Sequence, residues 1–216
     1  MLRVYIPAHF SATDDAVQEL LTNFGAADLV TSTDKGIIAT FLPFLYHKPG
    51  SAPEAGVLGA LVGHVARNND QWRARTIGDA MVIVRGPDAY ITPSWYASKR
   101  EHSRVVPTWN YITAHVYGRL VIHDDPVWVG DLVRGLTDHH EKGRPQPWAV
   151  NDAPEEFIAG QLRAIVGVEI VISRIEAKFK LSQNRPEADF QGVVDGLVEC
   201  GEAATAEAMR KVSPTN

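Results

Sequence analysis

Between residues 108 and 123 the chain reads TWNYITAHVYGRLVIH and alternates in character from residue to residue along most of its length. Trp109, Tyr111, Thr113, His115 and Tyr117 fall on one face, and Ile112, Ala114, Val116 and Leu120 on the other. A strand this long with an apolar face is expected to lie centrally in a sheet. Residues 27–33 and 36–46 are β-prone runs separated by Asp34-Lys35-Gly36, a turn signal that predicts a hairpin. Further strands are expected at 59–66, 80–86, 88–92 and 168–181.

Helical signals sit at the start, middle and end of the chain and do not follow every strand. Thr13 can cap a first helix carrying Val17, Leu20, Leu21 and Phe24, with Gly25 at its end. Asp125-Pro126 is a cap and first-turn pair for a second. Asp152, Pro154 and Glu155 start a third, with Phe157, Ile158, Leu162 and Ile165 inside and Gly167 closing it. Residues 187–211 read as one last helix. This order disfavours a doubly wound parallel sheet and predicts an α+β fold, an antiparallel barrel or sheet with peripheral helices. Residues 1–212 are expected to form a single domain and 213–216 a disordered tail.

Apolar residues make up 45% and charged residues 22%, the balance of a packed chain rather than a disordered one. Cys200 is the only cysteine, which excludes an intramolecular disulfide and a cysteine-based metal cluster within the chain. A reducing, cytoplasmic compartment is expected. The opening MLRVYIPAHFSATDD reaches Pro, His and acidic residues before any long apolar run, so neither a signal peptide nor a membrane span is expected. A formal net charge of −5 opposes unassisted binding to nucleic acid.

Two segments carry the residue types of a binding site. In GPDAYITPSWYASKREHSRVVPTWNY, from Gly86 to Tyr111, the rings of Tyr90, Trp95, Tyr96, Trp109 and Tyr111 are interleaved with Ser94, Lys99, Arg100, His102, Thr108 and Asn110. Aromatic faces with hydroxyl, amide and cationic groups suit a planar, phosphorylated ligand. The same mixture arises where rings fill a core and charges are solvated, so composition leaves both readings open. At the end of the last strand Lys178 and Lys180 alternate onto one face ahead of Ser182, Gln183, Asn184 and Arg185. That face suits a phosphate, a partner subunit or a lysine-protected sheet edge.

The runs IPAHF, LVGHVARNNDQW, GPDAYITPSWYASKREH, VPTWNY, PWAV and KLSQNRPEAD resemble those of the PaiB-type FMN-binding negative transcriptional regulators, over about residues 5 to 197. The resemblance implies an antiparallel split β-barrel of the FMN-binding type, a homodimer with flavin at the subunit interface, and repression of degradative-enzyme and sporulation genes. It further implies that Thr108, Trp109, Asn110 and Tyr111 lie beside the flavin, that Lys99 and Arg185 contact its phosphate, and that Ser182 and Gln183 reach it from the other subunit. Where the family's strand ends His-Leu-Pro, this chain has Phe41-Leu42-Pro43, which removes a polar contact if that position faces the flavin.

The eight histidines show no recurring ligand spacing, no Gly-x-Ser-x-Gly elbow is present, and no Gly-rich phosphate loop occurs. Two function classes remain. One is an FMN-binding regulator acting through ligand or redox state. The other is an FMN-dependent oxidoreductase acting on a small molecule. No helix-turn-helix is recognisable, because residues 141–151 are far too long for its tight turn, so direct DNA contact is weakly supported.

Overall fold

The computed structural model describes residues 3–50 and 56–214. Its strands are β1 (Ala26–Thr33), β2 (Gly36–His47), β3 (Ala60–Ala66), β4 (Ala80–Ile91), β5 (Thr108–His123) and β6 (Ile165–Lys180). They close into a barrel in the order β1-β2-β3-β6-β5-β4, with antiparallel ladders β1–β2, β1–β4, β2–β3 and β3–β6. Closure leaves none of these six strands at a free sheet edge. The helices are α1 (Asp14–Asn23), α2 (Ser98–His102), α3 (Pro126–Glu141), α4 (Glu155–Arg163), α5 (Glu187–Glu199) and α6 (Ala203–Arg210). The fold is the antiparallel split barrel with peripheral helices that the sequence led us to expect. Among the described residues no helix is long and apolar enough to cross a membrane.

Local chemistry accounts for several boundaries. Thr33 pairs with Gly36 across the β1–β2 turn, and its Oγ1 accepts from the Lys35 amide at 3.2 Å. The Thr13 hydroxyl accepts from the Ala16 amide at 3.3 Å and opens α1, while Asp125 Oδ1 accepts from the Val127 amide at 3.1 Å and opens α3. Along β5, Asn110, Ile112, Ala114 and Val116 are buried, and their neighbours are not.

Four expectations are corrected. Residues 80–86 and 88–92 are one strand, β4, running through Gly86-Pro87. A Cβ at Gly86 would lie 2.8 Å from Ile112 Cβ, so glycine there permits close approach rather than breaking the strand. The irregular segment before β5 contains α2 and a short 3-10 turn, Pro93–Trp95. The third helix stops at Arg163, because Ile165 pairs with Ala66 in the β3–β6 ladder, and Phe157 on that helix is 56% exposed. The last helix is two, α5 and α6, separated where Gly201 takes φ +82°. Ser213 and Pro214 carry no helix or strand, and the remainder of the expected tail lies outside the described residues.

The chain divides into two compact units. The first comprises residues 1–20, 85–114 and 176–216. Its core gathers Ile91, Tyr96, Leu181, Val193, Leu197 and Met209. Gly192 and Gly196 let α5 approach Trp95, whose carbonyl and ring a Cβ at these positions would collide with. The second comprises residues 21–84 and 115–175. There Val62, Leu132 and Leu136 pack with Leu45 and Trp128, and Phe24 meets Phe44 at a centroid distance of 6.5 Å.

Candidate functional site

All eight expected site residues fall in the first unit. At the start of β5 the strand alternation divides them. Asn110 points into the core, fully buried, while Trp109 is 50% exposed beside Tyr90, 51% exposed. The two rings meet edge to face at 6.1 Å, and the Trp109 indole donates to Asp88 Oδ1 at 2.7 Å. This bond leaves a fixed aromatic surface turned outward.

The end of β6 is built differently. Ser182 takes φ +66°, a left-handed conformation uncommon for a residue with a Cβ. It exchanges hydrogen bonds with the Asn110 amide, Nδ2 to Oγ at 3.0 Å and Oγ to Oδ1 at 3.1 Å. Asn110 Nδ2 also reaches Met209 Sδ at 3.4 Å. The Gln183 side chain donates to the Phe179 carbonyl at 2.6 Å and accepts from the Leu181 amide at 2.8 Å. The polar groups of Asn110, Ser182 and Gln183 are thus bonded within the chain, where they satisfy buried groups and lock the turn that carries Arg185. Arg185 stands over the Tyr96 ring, 4.6 Å from its centroid, and burial raises the Tyr96 phenol pKa.

Lys180, which follows from the same alternation as Lys178, links these pieces. Its ammonium donates to Thr108 Oγ1 at 2.6 Å and to the Trp109 carbonyl at 2.5 Å, which leaves one of three protons uncommitted. Lys178 lies between the rings of Tyr5 and Tyr111, 5.8 Å from each centroid. Burial lowers the Lys180 pKa, and the positive charges of Lys178 and Arg185 lower it further. A half-buried ammonium facing two like charges is a site where an anion relieves repulsion. The signal for it in the sequence was the period-two spacing of Lys178 and Lys180.

Other expected positions stand apart. Lys99, on α2, is exposed and donates to Ser94 Oγ at 3.1 Å. The helix that carries it is tied down through Asp189, whose carboxylate accepts from the Ser98 amide and hydroxyl, both at 2.8 Å. His102 Nδ1 accepts from the Arg104 amide at 3.0 Å. In the second unit, Phe41 on β2 is 70% exposed.

The sequence matches the family described as "Putative FMN-binding domain" over residues 4–174. It is also 35% identical over 201 residues to the protease synthase and sporulation protein PAI 2 of Bacillus subtilis, covering 90% of this chain and 89% of that one. The chain belongs to the PaiB-type FMN-binding family. An uncharacterized protein of Aspergillus fumigatus is 31% identical over 176 residues, covering 66% of this chain and 67% of its own length. Among solved structures, a FAD and heme binding protein from Mycobacterium smegmatis superposes with TM-score 0.54 at 18% identity, covering 79% of this chain and 72% of the other. The flavocytochrome Anf3 from Azotobacter vinelandii gives 0.54 at 14% identity, covering 84% and 74%. These likenesses establish the split-barrel fold.

FMN is the cofactor of this PaiB-type chain. The first unit's donor set fits such a group: the clustered cations Lys178, Lys180 and Arg185 suit a phosphate, and the outward rings of Trp109 and Tyr90 suit a planar ring system. Lys99 and Thr108–Tyr111 lie within the span matched by the family, and residues 182–185 lie beyond it.

Proposed function

We propose that the chain is an FMN-carrying negative transcriptional regulator of the PaiB type, whose output depends on the ligand or redox state of its flavin rather than on strong direct DNA binding. The observation that carries this reading is the identity shared along 90% of the chain with a protein named for sporulation. Bound FMN supplies redox chemistry. In this reading Lys180, Arg185 and Lys99 hold the phosphate, and Thr108, Trp109 and Tyr111 border the ring. Asn110, Ser182 and Gln183 keep the turn that carries Arg185 in place, and a homodimer puts the flavin at the subunit interface. The net charge of −5 and a basic cluster of three side chains suit one phosphate group better than a duplex backbone.

The test is fluorescence anisotropy of the FMN-loaded protein with duplexes from the region upstream of its own gene, oxidised and reduced, together with transcript levels in a deletion strain. Sequence-selective nanomolar binding is expected in neither state at physiological salt. Transcripts raised by the deletion should return to their original level with the intact chain and not with a variant that has lost FMN. Nanomolar selective binding by the protein alone would overturn the indirect mechanism, and unchanged transcripts on deletion would overturn the regulator. The alternative, an FMN-dependent oxidoreductase, is favoured by one observation, a small-molecule-sized pocket in the second unit.

A further inference from the structure

The second unit contains a pocket of about 310 Å³ between α3 and strands β2 and β3. Its volume is at the lower end of small-molecule sites, enough for one or two fused rings. Pro43, Val133, Leu136 and Trp148 form apolar walls, and His64, Thr137, His140 and Glu141 supply the polar groups. Glu141 Oε2 accepts from the Trp148 backbone amide at 3.0 Å, which fixes the backbone that carries this wall. Glu141 Oε1 meanwhile meets Arg144 Nε at 3.2 Å.

The electrostatics restrict what can enter. The lining has a carboxylate and no lysine or arginine, and the guanidinium that neutralises Glu141 stands outside the lining with 62% of its side chain exposed. Burial lowers the His64 pKa, so its imidazole is uncharged near neutral pH and offers one donor and one acceptor. An anion would lie beside the Glu141 carboxylate with no lysine or arginine in the lining to receive it. A flat, uncharged ring would lie against Trp148 and Pro43 and exchange hydrogen bonds with His64 and Thr137.

We propose that this pocket is a binding site for a small, uncharged aromatic compound carrying both a hydrogen-bond donor and an acceptor, the class of molecule that the flavoprotein senses or acts on. The role of sensing or acting rests on the flavoprotein reading, but the binding itself does not. The experiment is saturation-transfer NMR on the FMN-loaded protein, with nicotinamide as the neutral probe and nicotinate as its anionic counterpart of nearly the same shape. Nicotinamide should bind with a dissociation constant on the order of 1 mM or below, and nicotinate at least about tenfold more weakly. Thr137→Trp, which fills the pocket from α3, and Trp148→Ala, which removes a wall at an exposed position, should each weaken nicotinamide at least about fivefold without changing FMN content. Absence of nicotinamide binding, equal binding of nicotinate, or both variants binding like the parent overturns the proposal. The same titration on flavin-free protein separates the remaining outcome: displacement of nicotinamide by added FMN would make the pocket the flavin's own seat and also overturn it. FMN retention with no nicotinamide binding leaves the flavin assignment intact.

Discussion

Among single residues, exposure separates two lysines that the sequence presents as similar cations. Lys99 reaches into solvent from α2 and holds only Ser94, whereas Lys180 is half-buried, bonded to Thr108 and the Trp109 carbonyl, and repelled by Lys178 and Arg185. A charge-assisted contact to a phosphate contributes about 1.5–3 kcal/mol where water is partly excluded and less where it is not. Lys180→Met is therefore expected to weaken FMN binding by roughly tenfold to a hundredfold, and Lys99→Ala by less. Riboflavin, which has no phosphate, should lose little on either substitution. Flavin-fluorescence titration of parent and variants makes the comparison, and equal losses for FMN and riboflavin on Lys180→Met would remove that residue from the phosphate site.

Between elements, the end of α4 and the start of β6 depend on one close approach. Gly167 lies under Trp128, where a Cβ would collide with the indole ring and sit 3.2 Å from His123 Cβ. The Trp128 ring is in turn stacked on His123 at 3.9 Å, and His123 Nε2 lies 2.7 Å from the buried carboxylate of Glu169. Gly167→Ala would push a stacked pair off a strand that pairs with β3 and should cost about 1–3 kcal/mol. Gly25 has nothing within 4 Å of an added Cβ and no left-handed φ, so Gly25→Ala should change stability by no more than about 0.5 kcal/mol. Urea unfolding of the two variants gives both values, and similar midpoints would show that the Trp128 contact does not restrict the strand.

For the molecule taken entire, the family reading implies two chains. On one face of β2, four positions apart, Ile37 and Phe41 are 78% and 70% exposed, large apolar groups of the kind that a partner covers. Light scattering at micromolar concentration with FMN present should give about twice the 23.7 kDa of one chain. A monomer mass alone under those conditions would exclude the homodimer. Phe41→Glu gives a second measurement, since a charge buried at an interface should shift the mass toward the monomer.

Local pattern specifies what repeats over a few residues: the alternation of Thr108–His123, the Asp34-Lys35-Gly36 turn, and the caps at Thr13 and Asp125. Side-chain period and capping depend only on near neighbours, so they are legible in one dimension. Matching motifs added the family and its flavin. It took the folded chain to show that Gly86-Pro87 continues a strand, that Ile165 leaves a helix to pair with Ala66, and that Asn110 and Ser182, 72 positions apart, bond each other inside the core. Folding also assembled Lys180 with Thr108 across a similar separation. Residue type specifies the donors and acceptors a side chain carries, but the partner that satisfies them is set by burial and long-range pairing, which local pattern does not encode.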